Sequence, residues 1–351
     1  MIFKNCSING KIQDIRTENG TITDIGKLSG EGKDLNGAKV FPGLIDIHSH
    51  GCIGCDTMDG DRLGEMSGYL AKHGVTSWLP TTMTMDMDTI KRVVNIDIPK
   101  TNGAEILGFH MEGPYISRNR KGAQNEEYIK APDVNEFNGL KNIKMITLAP
   151  ELYSSMLFIE QCGAIVSIGH TDAGYDCTME AIERGARCLT HIFNAMPPLH
   201  HRDPGPIGAA IDKDIYVQVI CDGLHIHKSV VKMLYRTFGA RRMILISDSM
   251  RATGLDDGEY EFGGQKITVT NSVARTPDGA IAGSTSTLLQ CVKKAIEFEI
   301  PEQTAFDMAS KTPAELLGLN KGRIECGWDA DFIAVDDKYN VMMTVKAGRV
   351  L

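Results

Sequence analysis

The stretch Val40-Phe41-Pro42-Gly43-Leu44-Ile45-Asp46-Ile47-His48-Ser49-His50-Gly51 reads as a buried strand that ends in two histidines and a turn. In extended backbone, side chains two positions apart leave the chain on one face, so the imidazoles of His48 and His50 point together. Such a pair can chelate a metal ion, and Gly51 lets the chain turn away at once, leaving both rings at the strand's mouth. A His-x-His pair is equally what a hydrogen-bonded strand end looks like, so its partners decide.

Those partners appear when the pattern is followed along the chain. Short apolar runs separated by helix-length segments occur at residues 43–48, 75–80, 105–112, 143–149, 164–170, 186–191, 215–221 and 243–248. Most are near-continuously apolar, the pattern of strands covered on both faces. Amphipathic stretches lie between them over 62–73, 152–162, 175–184 and 228–238. Each is followed by a glycine (Gly74, Gly163, Gly185, Gly239) where a left-handed helix stop is expected. Eight such units predict an α/β fold, a (β/α)₈ TIM-like barrel with its active site at the C-terminal ends of the strands. Strand one then ends in His48 and His50, strand three in Glu112, strand five in His170, strand six in His191 and strand eight in Asp248. Six metal-competent side chains on one rim point to a metal site.

The two ends of the chain differ in kind. Asn9-Gly10, Asn19-Gly20 and Asn36-Gly37 are hairpin signals among short polar strands, and residues 323–351 read similarly. They predict a small β-sandwich domain formed by residues 1–41 plus 323–351, beside the barrel over 42–322 that carries the metal-site residues. Tyr260 to Ala282 reads as a further hairpin inserted after strand eight, with its packing partner open.

Composition narrows the partners. A formal net charge of −8 argues against nucleic acid. The basic clusters Arg118-Asn119-Arg120-Lys121 and Arg241-Arg242 are too short for a groove-binding stripe and read as solvated surface. No run approaches the roughly 20 apolar residues that cross a bilayer, and no cleavable signal opens the chain, so a membrane partner is not expected. Nine cysteines, an odd and scattered number, fit a reducing cytoplasm, and Cys52 and Cys55 read as two free thiols near the site.

Four imidazoles and two carboxylates suit Zn²⁺, Fe²⁺, Mn²⁺ or Co²⁺. Six ligands exceed what one tetrahedral ion takes, whereas two divalent ions per chain bridged by Glu112 would use them all and activate water for hydrolysis. Asp248 would then act as general base and acid, or alternatively serve as a plain ligand or helix cap. His110, on the strand face of Glu112, reads as a hydrogen-bonding support of the ligands.

The segments PGLIDIHSHG (42–51), GFHMEGPYIS (108–117), KGAQN (121–125), TLAPE (147–151), SIGHTDA (167–173), THIFNAMPPLHHRDPG (190–205), CDGLHIH (221–227), ISDSMRATG (246–254) and GAIAGS (279–284) carry a resemblance over essentially the whole chain. In this set and order they resemble the N-acetylglucosamine-6-phosphate deacetylases of the amidohydrolase superfamily. The resemblance implies metal binding by Glu112, His170 and His191 and catalysis by Asp248. The presence of His48 and His50 resembles the family's two-metal branch. Gln124 stands where other members place a histidine thought to polarise the acetamide carbonyl, and an amide can still donate to an oxyanion. The implied substrate is a sugar phosphate, with Arg202 and His225 as contacts and Asn194 and the backbone of Ala195 as further donors. The resemblance also implies a homodimer that shares pocket residues across its interface, and the removal of acetate from N-acetylglucosamine 6-phosphate in amino-sugar catabolism. Other deacetylases and cyclic amidohydrolases of the superfamily, or a non-catalytic sugar-phosphate sensor, remain alternatives.

Overall fold

Eight parallel strands form the centre of the computed structural model, which describes residues 1–351. They are β1 (Leu44–Ser49), β2 (Val75–Thr82), β3 (Phe109–Glu112), β4 (Ile143–Leu148), β5 (Ile165–Ile168), β6 (Cys188–Leu189), β7 (Tyr216–Ile220) and β8 (Met243–Ile246). Each pairs in parallel with the next, from β1–β2 through β7–β8. The ring closes where Ser49 bridges Ser249 and the Asp248 N–H donates to the His48 carbonyl at 2.9 Å. Side chains from six strands, among them Ile45, Leu79, Met145, Cys188, Ile220 and Ile246, meet in one cluster, as the filling of a closed ring requires.

The β-strand propensity of Val, Ile and Leu explains these runs, and burial on both sides explains why they hold: every residue of β1, β2, β3 and β8 is buried. Helices over Leu63–Lys72, Ser155–Gln161, Tyr175–Glu183 and Lys228–Phe238 occupy the expected stretches. Leu70, Phe158, Ala181 and Leu234 on those helices enter the main core with Trp78, whose indole N–H reaches Ser67 Oγ at 3.1 Å. Each fully buried leucine or phenylalanine of this set contributes about 1.5–3 kcal/mol.

Two local expectations are corrected. Gly163 is not a left-handed stop: the preceding helix ends on Cys162 in extended backbone, while Gly74, Gly185 and Gly239 do take positive φ. The strand expected over 105–112 is split into Glu105–Ile106 and β3 by a kink at Gly108, with φ of +135°. A Cβ there would lie 2.6 Å from the Asn142 carbonyl oxygen, so the approach of the next strand requires glycine.

Strands from residues 2–42 and 332–350 join one eight-stranded sheet with its own cluster of Phe3, Ile15, Ile22, Val40, Phe332 and Val345. Lys321, almost fully buried, ties that sheet to the barrel through Asp331 at 2.7 Å and Glu105 at 3.0 Å. The insertion after β8 forms a separate three-stranded sheet, Gly258–Phe262, Gln265–Thr270 and Val273–Arg275. It packs at the barrel mouth, with Gln265 donating to the Ala123 carbonyl at 2.9 Å and Phe262 edge-on to His50 with ring centroids 5.2 Å apart.

Candidate metal centre

β1 and β3 carry His48 and Glu112 within their last residues, whereas β5, β6 and β8 end two residues short of the polar side chains they present. His170, His191 and Asp248 sit just beyond β5, β6 and β8 with φ of +47°, +28° and +47°. Non-glycine residues in this region are strained by about 1–3 kcal/mol, a cost that recurs where side chains are held for function. The turned backbone brings the three side chains to His48 and His50 at the end of β1 and Glu112 at the end of β3.

Six groups converge. His48 Nε2 and His50 Nε2 lie 3.2 Å apart, and His170 Nε2 and His191 Nε2 lie 3.1 Å apart. Glu112 stands between the pairs, with Oε1 3.3 Å from His48, 3.4 Å from His170 and 3.1 Å from His191, and Oε2 3.3 Å from His50. Asp248 Oδ1 is 3.4 Å from His48 Nε2 and 3.3 Å from His50 Nε2.

The outer nitrogens explain what these distances mean. His48 Nδ1 donates to Gln218 Oε1 at 3.0 Å, His50 Nδ1 to the Thr81 carbonyl at 3.2 Å and His170 Nδ1 to the Arg120 carbonyl at 2.8 Å. A neutral imidazole has one N–H; with it placed on Nδ1, the Nε2 lone pairs of these rings face inward. Lone pairs and carboxylates crowded in this way repel unless positive charge lies among them, so the donor set fits divalent cations. His48-His50-Glu112 and Glu112-His170-His191 each gather as a triad of ligand atoms, and Glu112 belongs to both.

The acid–base shifts tell the same story. Burial opposes a charged His50, yet Asp248 and Glu112 outweigh it and push the imidazole up to about 10. Burial opposes charge on Glu112 and Asp248 too, but the surrounding histidines hold both carboxyls below their ordinary range. His191, without an acceptor for its buried Nδ1, is pushed down by desolvation.

A cavity of about 410 Å³ opens over this centre, lined by His50, Glu112, His170, His191 and Asp248 and by Gln124, Asn194, Ala195 and His225. His225 is held by Asp222, Nδ1 to Oδ2 at 2.7 Å, which leaves its Nε2 free. The Ala195 N–H has no acceptor within the chain, whereas the Asn194 amide turns back onto the carbonyls of His191 and Ile192.

Three expectations change here. Arg202 is not brought to this cavity: its loop is exposed and its guanidinium lies 2.6 Å from His201 Nε2. The Gln124 amide, expected to face an oxyanion, is engaged with Glu112 Oε2 at 2.6 Å and the Thr84 N–H at 2.8 Å. Asn119 and Arg120, read from sequence as solvated surface, line the cavity. Gln218 was missed as the holder of His48, although a lone polar residue inside the apolar run Tyr216–Ile220 is the signal that finds it. His110 supports without entering the cavity, bridging the Ile47 carbonyl at 3.0 Å and Thr147 Oγ1 at 2.8 Å. Cys52 and Cys55 face each other across a buried hairpin, and burial pushes both thiols up, away from the reactive thiolate.

Comparison with known proteins places this geometry. The amidohydrolase family model matches residues 40–351. The chain is 40% identical over 367 residues to an N-acetylglucosamine-6-phosphate deacetylase of Lysinibacillus sphaericus, covering 99% of this chain and 95% of the relative. The crystal structure of N-acetylglucosamine-6-phosphate deacetylase from Thermotoga maritima superposes with a TM-score of 0.92 at 34% identity, covering 100% of this chain and 99% of that one. A mutant of the Mycobacterium smegmatis enzyme, in complex with N-acetyl-D-glucosamine-6-phosphate, superposes with a TM-score of 0.93 at 29% identity, covering 100% and 98%.

Proposed function

The chain belongs to the amidohydrolase family, and on that premise we propose that it hydrolyses the acetamide of N-acetylglucosamine 6-phosphate to glucosamine 6-phosphate and acetate. The observation that carries this reading is the convergence of His48, His50, Glu112, His170, His191 and Asp248 beneath a cavity in a chain similar over its length to such deacetylases.

We read the centre as a site for two divalent cations per chain, Zn²⁺ or Fe²⁺, with Mn²⁺ or Co²⁺ also matched by the ligands. The two triads sharing Glu112 support the count. When bound, such cations lower the pKa of water and polarise the amide oxygen. Asp248 is the proton carrier: held as a carboxylate by its histidine neighbours, it accepts a proton from the attacking water. The water oxygen bonds to the carbonyl carbon, the C–N bond breaks, and Asp248 returns the proton to the departing nitrogen, releasing acetate and the amine. Gln124 orients Glu112, Gln218 orients His48, and His225 and the Ala195 N–H offer hydrogen bonds to the sugar phosphate.

The exposed position of Arg202, outside its own chain's cavity, supports a homodimer in which this arginine serves the neighbouring pocket. We assign residues 1–41 with 323–351 to a supporting β domain and 42–322 to the catalytic barrel; the shared terminal sheet supports that division. No helix is long and apolar enough to cross a membrane. Nine unpaired thiols support a cytoplasmic site of action. Release of acetate from N-acetylglucosamine 6-phosphate by metal-supplied protein tests the substrate assignment.

A further inference from the structure

Resting on the substrate reading above, we propose that Arg120 is the arginine within each chain that grips the substrate's phosphate, with Asp172 presenting its guanidinium. Among all residues lining the cavity, Arg120 is the one lysine or arginine. The cavity floor carries the carboxylates of Glu112 and Asp248, and the whole protein is negative, so an incoming phosphate needs a fixed local cation. At physiological salt, charges farther than about 8 Å give little help.

Arg120 is built for this use. Its Nε donates to Asp172 Oδ1 at 2.8 Å, while Asn119 Nδ2 donates to Asp172 Oδ2 at 3.3 Å. Asp172 is itself anchored, its N–H donating to Glu151 Oε1 at 2.6 Å. The tether takes only the inner nitrogen, and Arg120 Nη1 and Nη2 make no hydrogen bond within the chain. Two parallel donors on a planar fork match two phosphate oxygens. The same residue's carbonyl accepts from His170 Nδ1, so the fork's origin is fixed relative to the metal centre. The neighbouring cations are otherwise engaged: Arg118 donates to the Glu126 and Ile129 carbonyls, and Lys121 pairs with Glu126 at 3.7 Å.

The test compares metal-loaded full-length protein and its Arg120→Gln variant on N-acetylglucosamine 6-phosphate and on unphosphorylated N-acetylglucosamine, with inorganic phosphate as competitor. The variant is expected to lower the ratio of kcat/KM for the phosphorylated over the unphosphorylated sugar by about ten- to a hundredfold, mostly through KM, and to weaken phosphate inhibition similarly. Asp172→Asn, which removes the tethering carboxylate but leaves the Arg120 charge in place, is expected to move both readouts the same way by less. Should Arg120→Gln lose its fold or its metal, Arg120→Lys carries the same comparison with a partial loss. Equal effects on both sugars, or unchanged KM and phosphate inhibition, would overturn the assignment. Failure of the parent protein to hydrolyse either sugar would overturn the substrate reading and the assignment with it, whereas an active parent with an indifferent Arg120 overturns the assignment alone.

Discussion

Gln124 donates from Nε2 to Glu112 Oε2 at 2.6 Å, so the carboxylate that stands between the two histidine pairs is itself held by a side-chain amide. Support of this kind is worth about ten- to a hundredfold in metal affinity. Gln124→Ala is therefore expected to weaken metal binding by that factor, measured by chelator competition. Full metal affinity with a fall in kcat alone would return Gln124 to the role of an oxyanion donor.

Asp248 lies within 3.4 Å of both first-strand histidines but is assigned the moving proton. Asp248→Asn retains a ligating oxygen and removes the base. The expected result is an intact fold and metal content with kcat lower by about two to four orders of magnitude. Near-normal turnover would remove Asp248 from the mechanism.

The buried pair of Asp222 and His225 gives a pH signature. Burial disfavours the imidazolium, but Asp222 outweighs it and raises His225; burial also opposes the Asp222 carboxylate, which His225 nevertheless lowers. A raised histidine contributes stability that is complete below its unfolded pKa, about 6.5, and is lost as pH rises through the folded value. A lowered aspartate contributes stability that is complete above about 3.9 and is lost as pH falls through the folded value. The pair is strongest from about pH 4 to 6.5 and weakens on the alkaline side. Asp222→Asn is expected to cost about 3 kcal/mol or more within that window and less at high pH. Denaturation at a series of pH values checks this; a pH-independent cost would contradict it.

Lys321 links the terminal sheet to the barrel through the buried Asp331. Lys321→Ala leaves that carboxylate with Lys346, at 3.4 Å, as its one remaining charge partner, beside the Ala347 N–H at 2.7 Å. A loss of about 3–5 kcal/mol in unfolding free energy is expected, with kcat per folded molecule unchanged. Unchanged stability would show that Lys346 compensates.

Much of this architecture was legible in the residues. All eight barrel strands fall on the apolar runs, because burial on both faces leaves near-continuous Val, Ile and Leu for periodicity to find. The site residues were found by a simple rule, a histidine or acid closing an apolar run, and the rule places His48, His50, Glu112, His170, His191 and Asp248 around one point. Boundaries were less legible: β5, β6 and β8 stop early because His170, His191 and Asp248 adopt left-handed backbone that apolar patterning does not record. Contacts between loops distant in sequence were not legible at all. Arg120 meets Asp172 52 residues away, and a single sequence carries no signal for that pairing; Gln218 stands out as the lone polar residue of its strand, but nothing in the sequence ties it to His48, 170 residues away. Arg202 drew attention through family likeness, while the cation lining this chain's own cavity sat in a run read as surface.

The central claim is that cations held by the six converging side chains drive acetamide hydrolysis, and one titration tests it most directly. Protein stripped by a chelator is resupplied with Zn²⁺ or Fe²⁺ in measured equivalents while acetate release from N-acetylglucosamine 6-phosphate is followed. The account predicts no release from stripped protein and a rise that saturates near two equivalents per chain. Acetate release undiminished in metal-free protein, or none from metal-loaded protein, would contradict it.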